Sequence, residues 1–393
     1  MLSPPWRLSK AQVAALLLLS GNCFTPALRA ANGTEPAEAL PAIPDWTFTT
    51  SLSAAAGYRD NVLLSSTNAV GSGLVRGEVE AMGLRLPTGE WDGYVFLNAI
   101  ETRFLSAQQT DHERTIFLVG EVRWQPAEAL QYSLLVQAYH HDQVFDVSTT
   151  EIALDTAVLK MTGYSVAPGV RWNFAPHWWL EAKGVARDDS YDRDLDGYTD
   201  GEGRVRLGRA WGHGSEWSVG GSRRWRAHDS REQFTASGRP ITGTLLKARQ
   251  AEVSAQLNWV LDAAKHWQIT GTVLREENRD NGTGYFDYDR DLLTTGVTWT
   301  ADQWEVRAAL SWSEYEFPVQ LVGIGITPER RRKEETRATV EVTRRLTASL
   351  AAFVFFESER STSNDDRSRF RTNTGYVGLR WSWDQLARTI DAL

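Results

Sequence analysis

The chain has 393 residues, 50 acidic against 42 basic, and a formal net charge of −8. An acidic balance of this kind gives no support to nucleic-acid binding. Its single cysteine, Cys23, leaves no framework of disulfides or Cys-based metal ligands, and no later stretch supplies the run of apolar residues that a membrane helix needs, so that any crossing of a bilayer has to be made by a closed β-barrel.

Residues 1–30 read as a secretory signal: Arg7 and Lys10 form a basic start, Ala11 to Ser20 an apolar stretch, and Ala27-Leu28-Arg29-Ala30 a small-residue exit. Cleavage after Ala30 or Ala31 removes Cys23 together with Arg7, Lys10 and Arg29, which moves the net charge from −8 to −11. Residues 31–45, rich in Ala, Pro and Glu, are expected to be a flexible periplasmic leader.

From Trp46 onward apolar and polar residues alternate with period two, the pattern of strands with two unlike faces. Val253, Ala255, Leu257 and Trp259 oppose Glu252, Ser254, Gln256 and Asn258, for example, and Val306, Ala308, Leu310 and Trp312 oppose Glu305, Arg307, Ala309 and Ser311. One face suits lipid and the other water. The predicted strands are 46–58, 73–86, 91–104, 115–125, 129–142, 158–174, 177–187, 201–212, 216–227, 246–261, 266–277, 290–301, 303–315, 334–345, 347–359 and 370–383. Alternation is least clean at Met161 to Pro168 and Phe353 to Phe356, so fourteen and eighteen strands remain open beside sixteen. The fold class expected is all-β, a transmembrane antiparallel up-and-down barrel of about 16 strands over residues 46–383, with a periplasmic tail at 384–393.

Connections alternate between turns of a few residues and polar loops of about nine to eighteen. The tryptophans gather at the short turns: Trp91, Trp124, Trp172, Trp178, Trp211, Trp217, Trp259, Trp267, Trp299 and Trp304. An indole has an apolar body and one N–H donor and is most stable where hydrocarbon meets headgroup, so these residues mark a membrane girdle. Short turns on one side and long loops on the other are the asymmetry of outer-membrane barrels, with an even strand count returning both termini to the periplasm.

Tyr376, Gly378, Trp381 and Trp383 resemble the terminal strand signal of bacterial outer-membrane barrels, although the chain runs on to Leu393 where that family usually stops on an aromatic. Gly57-Tyr58-Arg59-Asp60-Asn61-Val62 resembles the first-hairpin motif of β-barrel porins of Gram-negative bacteria, some of them encoded beside exopolysaccharide systems. The resemblance implies an outer-membrane location, lipids and the barrel assembly machinery as partners, and small hydrophilic solutes as cargo.

On the inward phase Arg171, Arg187, Arg204, Arg206, Arg224 and Arg226 suggest a basic wall, with carboxylates elsewhere at Glu78, Glu80, Glu121, Glu305 and Glu341. The loop after the fifth strand, acidic through Asp146, Glu151 and Asp155, holds the position at which general porins fold a loop inward. An ordinary outside loop and a merely hydrated lining fit the same residues. The run Asp192-Arg193-Asp194-Leu195-Asp196-Gly197-Tyr198-Thr199-Asp200 spaces Asp192, Asp194, Asp196 and Asp200 so that they could wrap one Ca2+, although Gly203 stands where a bidentate glutamate would close such a loop; no other cofactor is expected. His140-His141-Asp142 is the one cluster with general-base chemistry. A porin-like channel is the leading reading and not an enzyme; a structural or polysaccharide-export accessory barrel and a hydrolase with its site at the rim are the alternatives.

Overall fold

The computed structural model describes residues 45–87, 89–107, 109–146, 156–192, 196–323 and 327–384. The signal, all of the leader but Asp45, and all of the tail but Asp384 lie outside the described residues. In chain order the strands are β1 (Trp46–Arg59), β2 (Ser72–Arg85), β3 (Trp91–Phe104), β4 (His112–Ala127), β5 (Leu130–Asp146), β6 (Thr156–Ala175), β7 (Trp178–Tyr191), β8 (Tyr198–Trp211), β9 (Ser215–His228), a loop hairpin β10 (Gln233–Phe234) and β11 (Pro240–Ile241), then β12 (Lys247–Val260), β13 (Trp267–Asp280), β14 (Tyr288–Ala301), β15 (Trp304–Val322), β16 (Glu329–Arg345), β17 (Leu350–Ser363) and β18 (Phe370–Asp384). Apart from β10 and β11 they form one closed antiparallel ring of sixteen, each strand bonded to its sequence neighbours and β1 bonded to β18.

Every predicted strand is present, and the differences lie at the loop ends. There β5, β15 and β16 run on past the lipid-facing stripe, to Asp146, to Val322 and from Glu329, where polar residues alternate with polar residues and leave no period to read. Loops are correspondingly shorter than expected, down to six residues at 192–197, while that at 229–246 keeps its eighteen. The turns at the other end are tight: His177, His213, Lys265 and Asp302 all take positive φ, which reverses the chain within a few residues. The sixth strand keeps its pairing with β5 through Pro168, whose side chain is on the outward phase, while its pairing with β7 lapses at Ala167 and Pro168. The fifteenth long strand, β17, loses its alternation because both of its faces are apolar: Val354 and Phe356 are exposed outside, while Phe353 and Phe355 are buried inside against Tyr376.

Outward positions carry the exposed apolar belt, Val95, Val122, Leu134, Val219, Val253 and Leu293 among them. At the turn end the indoles cluster: Trp91 stacks on its cross-strand neighbour Trp124 at 5.7 Å, Trp267 faces its neighbour Trp299 at 6.1 Å, and Trp178 meets Trp217 edge-on at 5.7 Å on either side of Arg209 of β8. Together the closed ring and this belt make a transmembrane barrel.

The seam between first and last strands depends on small residues. A Cβ on Gly378 would lie 2.5 Å from the Ala54 carbonyl oxygen and 2.7 Å from the Phe353 ring. Replacing Gly378 with leucine is therefore expected to block closure, read as loss of the heat-modifiable folded band in unboiled gels; a variant that folds like the parent would refute the role of this glycine.

Candidate pore lining

The inner face divides into four walls. On β3–β6 it is aromatic and apolar: Tyr94, Phe96, Phe117, Val119, Tyr139 and Met161 are buried against one another. This corrects the expectation of an inner face given over to water. Positions on the inward phase need only face away from lipid, and here they cover each other.

On β7–β9 the inner face is ionic. Cross-strand register sets Glu181 opposite Arg206, Glu202 opposite Arg224 and Asp200 opposite Arg226. Arg206 reaches Glu181 at 2.6 Å; Arg204 and Arg224 each approach one oxygen of Glu202 at 2.7 Å. Arg226 donates through Nε and Nη2 to the two oxygens of Asp200, at 3.0 and 3.1 Å. Arg171 on β6 reaches Glu216 at 3.4 Å and lies 4.2 Å over the ring of Trp179, an inward indole only 2% exposed. Arg187 shares this face, opposite Asp200 and Ser165. The basic wall of the sequence reading is thus an interleaved lattice of both signs. Glu181, Glu202 and Glu216 were missed, although they occupy the same phase as the arginines.

The β12–β15 wall is uncharged at mid-height, with Ser254, Thr270, Thr272, Thr294 and Ser311 on the inward phase. From β16 through β18 to β2 charges return: Arg337 is bonded to Glu359, Arg380 approaches Glu341 at 3.8 Å, and Glu78 takes Arg76 at 3.3 Å and the Asn98 amide at 2.9 Å. Ser51 donates to Glu80 at 3.1 Å and Arg307 pairs with Glu305. Glu121 is on the inward phase of β4, opposite Tyr94 and Leu135.

Asp146 ends β5, yet its carboxylate bonds Lys333 of β16 at 2.7 Å. Counting around the ring through β17, β18, β1, β2, β3 and β4, these strands are seven steps apart out of sixteen, close to opposite walls. The end of the β5–β6 hairpin therefore reaches across the barrel interior. Lys333, itself 1% exposed, also meets Glu335 at 2.7 Å. Glu151 and Asp155 lie outside the described residues.

The acidic run of the fourth long loop is engaged otherwise than the spacing suggested. Asp196 accepts the backbone amides of Ser230 and Arg231 and the Ser230 hydroxyl, at 2.8–3.0 Å, and so ties loop 192–197 to loop 229–246. Partial burial pushes this carboxyl upward, but the donors from Ser230 and Arg231 outweigh it and hold it below its ordinary value. The tie is complete above the ordinary aspartate range, about 3.9, and is lost as pH falls through the depressed value. Asp200 points inward to Arg226, and Asp194 lies outside the described residues. Among the described residues no group of three or more His, Cys, Asp or Glu could hold a metal ion.

His140-His141-Asp142 is split by the period of the strand. His140 faces out to the Thr162 hydroxyl at 3.1 Å, whereas His141 faces in beside Thr115 at 3.4 Å. Asp142 faces out to His112 and Lys160, at 3.3 and 3.2 Å, so it does not orient His141.

No protein-family model and no curated protein matches this chain. Among solved structures it is similar to OccAB1 of Acinetobacter baumannii (9% identity, 87% of this chain and 97% of that one, TM-score 0.48). It is also similar to an anion-selective porin from Comamonas acidovorans (9% identity, 86% and 99% covered, TM-score 0.42) and to a bacterial polysaccharide outer membrane secretin (8% identity, 85% and 97% covered, TM-score 0.40). Likenesses this distant carry no argument about function. The barrel's own geometry, an even closed antiparallel ring with an outward apolar belt, is that of a transmembrane barrel of the outer-membrane type.

Two outcomes separate the structural and metal roles of Asp200. Asp200→Asn leaves the buried Arg226 guanidinium without its carboxylate, a class of change that costs about 3–5 kcal/mol, and should lower the unfolding temperature in detergent equally with calcium or with chelator. A loss seen only in calcium would assign Asp200 to a metal instead.

Proposed function

We propose that the barrel is a porin-like channel in the outer membrane of a Gram-negative bacterium, passing small hydrophilic solutes by passive diffusion through a charge-lined constriction. The observation that carries this reading is the Asp146 to Lys333 bond, which holds the end of an inward-folded hairpin against the opposite wall of a ring wide enough to enclose water. Paired charges on both flanking walls give a solute hydrogen-bonding partners in place of its hydration shell, while a lattice of both signs avoids the deep electrostatic well that would trap an ion. The aromatic wall narrows the interior from a third side.

Single-channel recording in planar bilayers tests the reading. Arg204 and Arg224 both end on Glu202, so replacing the two with alanine strips that carboxylate of its partners and makes the wall more negative by two charges. Open-channel steps whose preference moves toward cations in the double variant are expected; a correctly folded protein that leaves the bilayer silent would overturn the channel and favour an accessory barrel.

Orientation follows from the same proposal. Cysteines placed in the long loop at Ser237 should react with impermeant reagent on intact cells, and one in the turn at Glu128 should not. The reverse pattern would invert the assignment of sides.

A further inference from the structure

Outside the barrel, at the end away from the tryptophan turns, β9, β12 and β13 present a cluster of cations around an indole. Trp225 of β9 is the direct cross-strand neighbour of Arg249, which is in turn the neighbour of Arg279; Arg223 stands opposite Ala251 and Lys247 opposite Ala227. Arg223, Lys247 and Arg249 are all exposed, and Trp225 is 52% exposed. Trp225 lies eight residues from the girdle residue Trp217 on the same outward phase. At about 3.4 Å per residue that is ~27 Å of strand, and a tilt of about 40° leaves ~21 Å of height, close to the ~25 Å of an outer-membrane apolar belt. The second indole thus marks the far edge of the hydrocarbon.

Several other cations on this outer rim are neutralised in place. Arg114 meets Glu101 at 2.8 Å, Lys160 meets Asp142 at 3.2 Å, and Arg275 meets Asp291 at 3.0 Å. Arg279 itself is paired with Asp289. Among the described residues Arg223, Lys247 and Arg249 have no carboxylate partner. Like charges directly opposite one another destabilise a sheet, and the Arg249–Arg279 pair meets that condition at the level where lipid headgroups begin.

We infer that this patch binds the phosphorylated headgroup of a lipid in the membrane leaflet next to the long loops. Arginine forks suit the oxygens of a phosphate, the aliphatic stem of Arg223 can lie along the belt while its guanidinium reaches the headgroup, and the indole packs beside the lipid at the interface. The patch is made of exposed side chains on the outer surface, which fits a headgroup held in place by its own acyl chains rather than a free anion. The assignment of leaflet rests on the outer-membrane reading above.

The test is a titration of the purified full-length barrel in neutral detergent with bisphosphorylated lipid A, followed by native mass spectrometry, for the parent and for the triple variant Arg223→Gln, Lys247→Gln, Arg249→Gln. The expected result is at least a tenfold weaker dissociation constant in the variant, a parent affinity that falls as salt is raised, and weaker parent binding of lipid A with its phosphates removed. A control variant, Arg360→Gln with Arg371→Gln, changes a second exposed arginine pair that faces each other on β17 and β18, and it should bind like the parent. Heat modifiability confirms that each variant is folded. Equal binding by the parent and the folded triple variant would overturn the site, as would displacement of the lipid by millimolar inorganic phosphate or a loss confined to the control pair. Channel recordings on the same proteins are independent: a silent bilayer with lipid binding intact sinks the channel and leaves this site standing, whereas a conducting barrel indifferent to the triple change does the opposite.

Discussion

Hydrocarbon offers no hydrogen-bond partner, so every backbone N–H and C=O of a spanning chain has to be satisfied within the protein. The eleven-residue pairing of β1 with β18, from Thr49 with Asp384 to Arg59 with Thr374, meets that demand at the only place where the ring joins elements distant in sequence. Much else follows from it. Once the sheet is closed, period two converts directly into inside and outside, and a one-residue slip at the seam would exchange the two faces. Gly57 and Gly378 let the first and last strands approach while the Tyr376 ring packs over Phe355 at 4.6 Å on the inner side. An aromatic strand end of this kind serves both the seam and the lining.

The architecture was readable because lipid imposes one rule on every strand. The outward positions of β12, Val253, Ala255, Leu257 and Trp259, have to be apolar whatever their neighbours do, and the same holds all round the ring. The interior obeys no single rule. Glu202 and Arg224 are far apart along the chain and neighbours in the sheet, and their meeting depends on register, which the sequence states only through the positions of turns such as that at His213. For this reason the inward arginines could be placed on a face without their partners being visible, and a lattice of both signs was read as a basic wall.

The same limit explains the two clusters that local spacing suggested. Asp196 and Asp200 lie four residues apart across the point where loop becomes strand, so one carboxylate bonds the amides of the neighbouring loop and the other turns into the barrel to Arg226. His141 and Asp142 are adjacent and, being in a strand, point to opposite faces. Linear proximity in a strand separates side chains as effectively as it joins them in a helix.

Charge inside and charge outside are handled differently, and the difference separates wall from surface. Inward ions are drawn into pairs because the low-dielectric flank of the barrel makes an unpaired buried charge costly, by several kcal/mol; Lys333, nearly inaccessible, accordingly has Asp146 on one side and Glu335 on the other. Outward ions near the belt edge can reach water or headgroups and need no internal partner. Arg223 and Arg249 are left without one where the sheet offers places for a carboxylate: Ala251 faces the first and Trp225 the second, while on the next rungs Asp291 meets Arg275. A sheet that supplies a counter-charge at Arg275 and omits it beside Arg249 has left that charge available to something outside the protein.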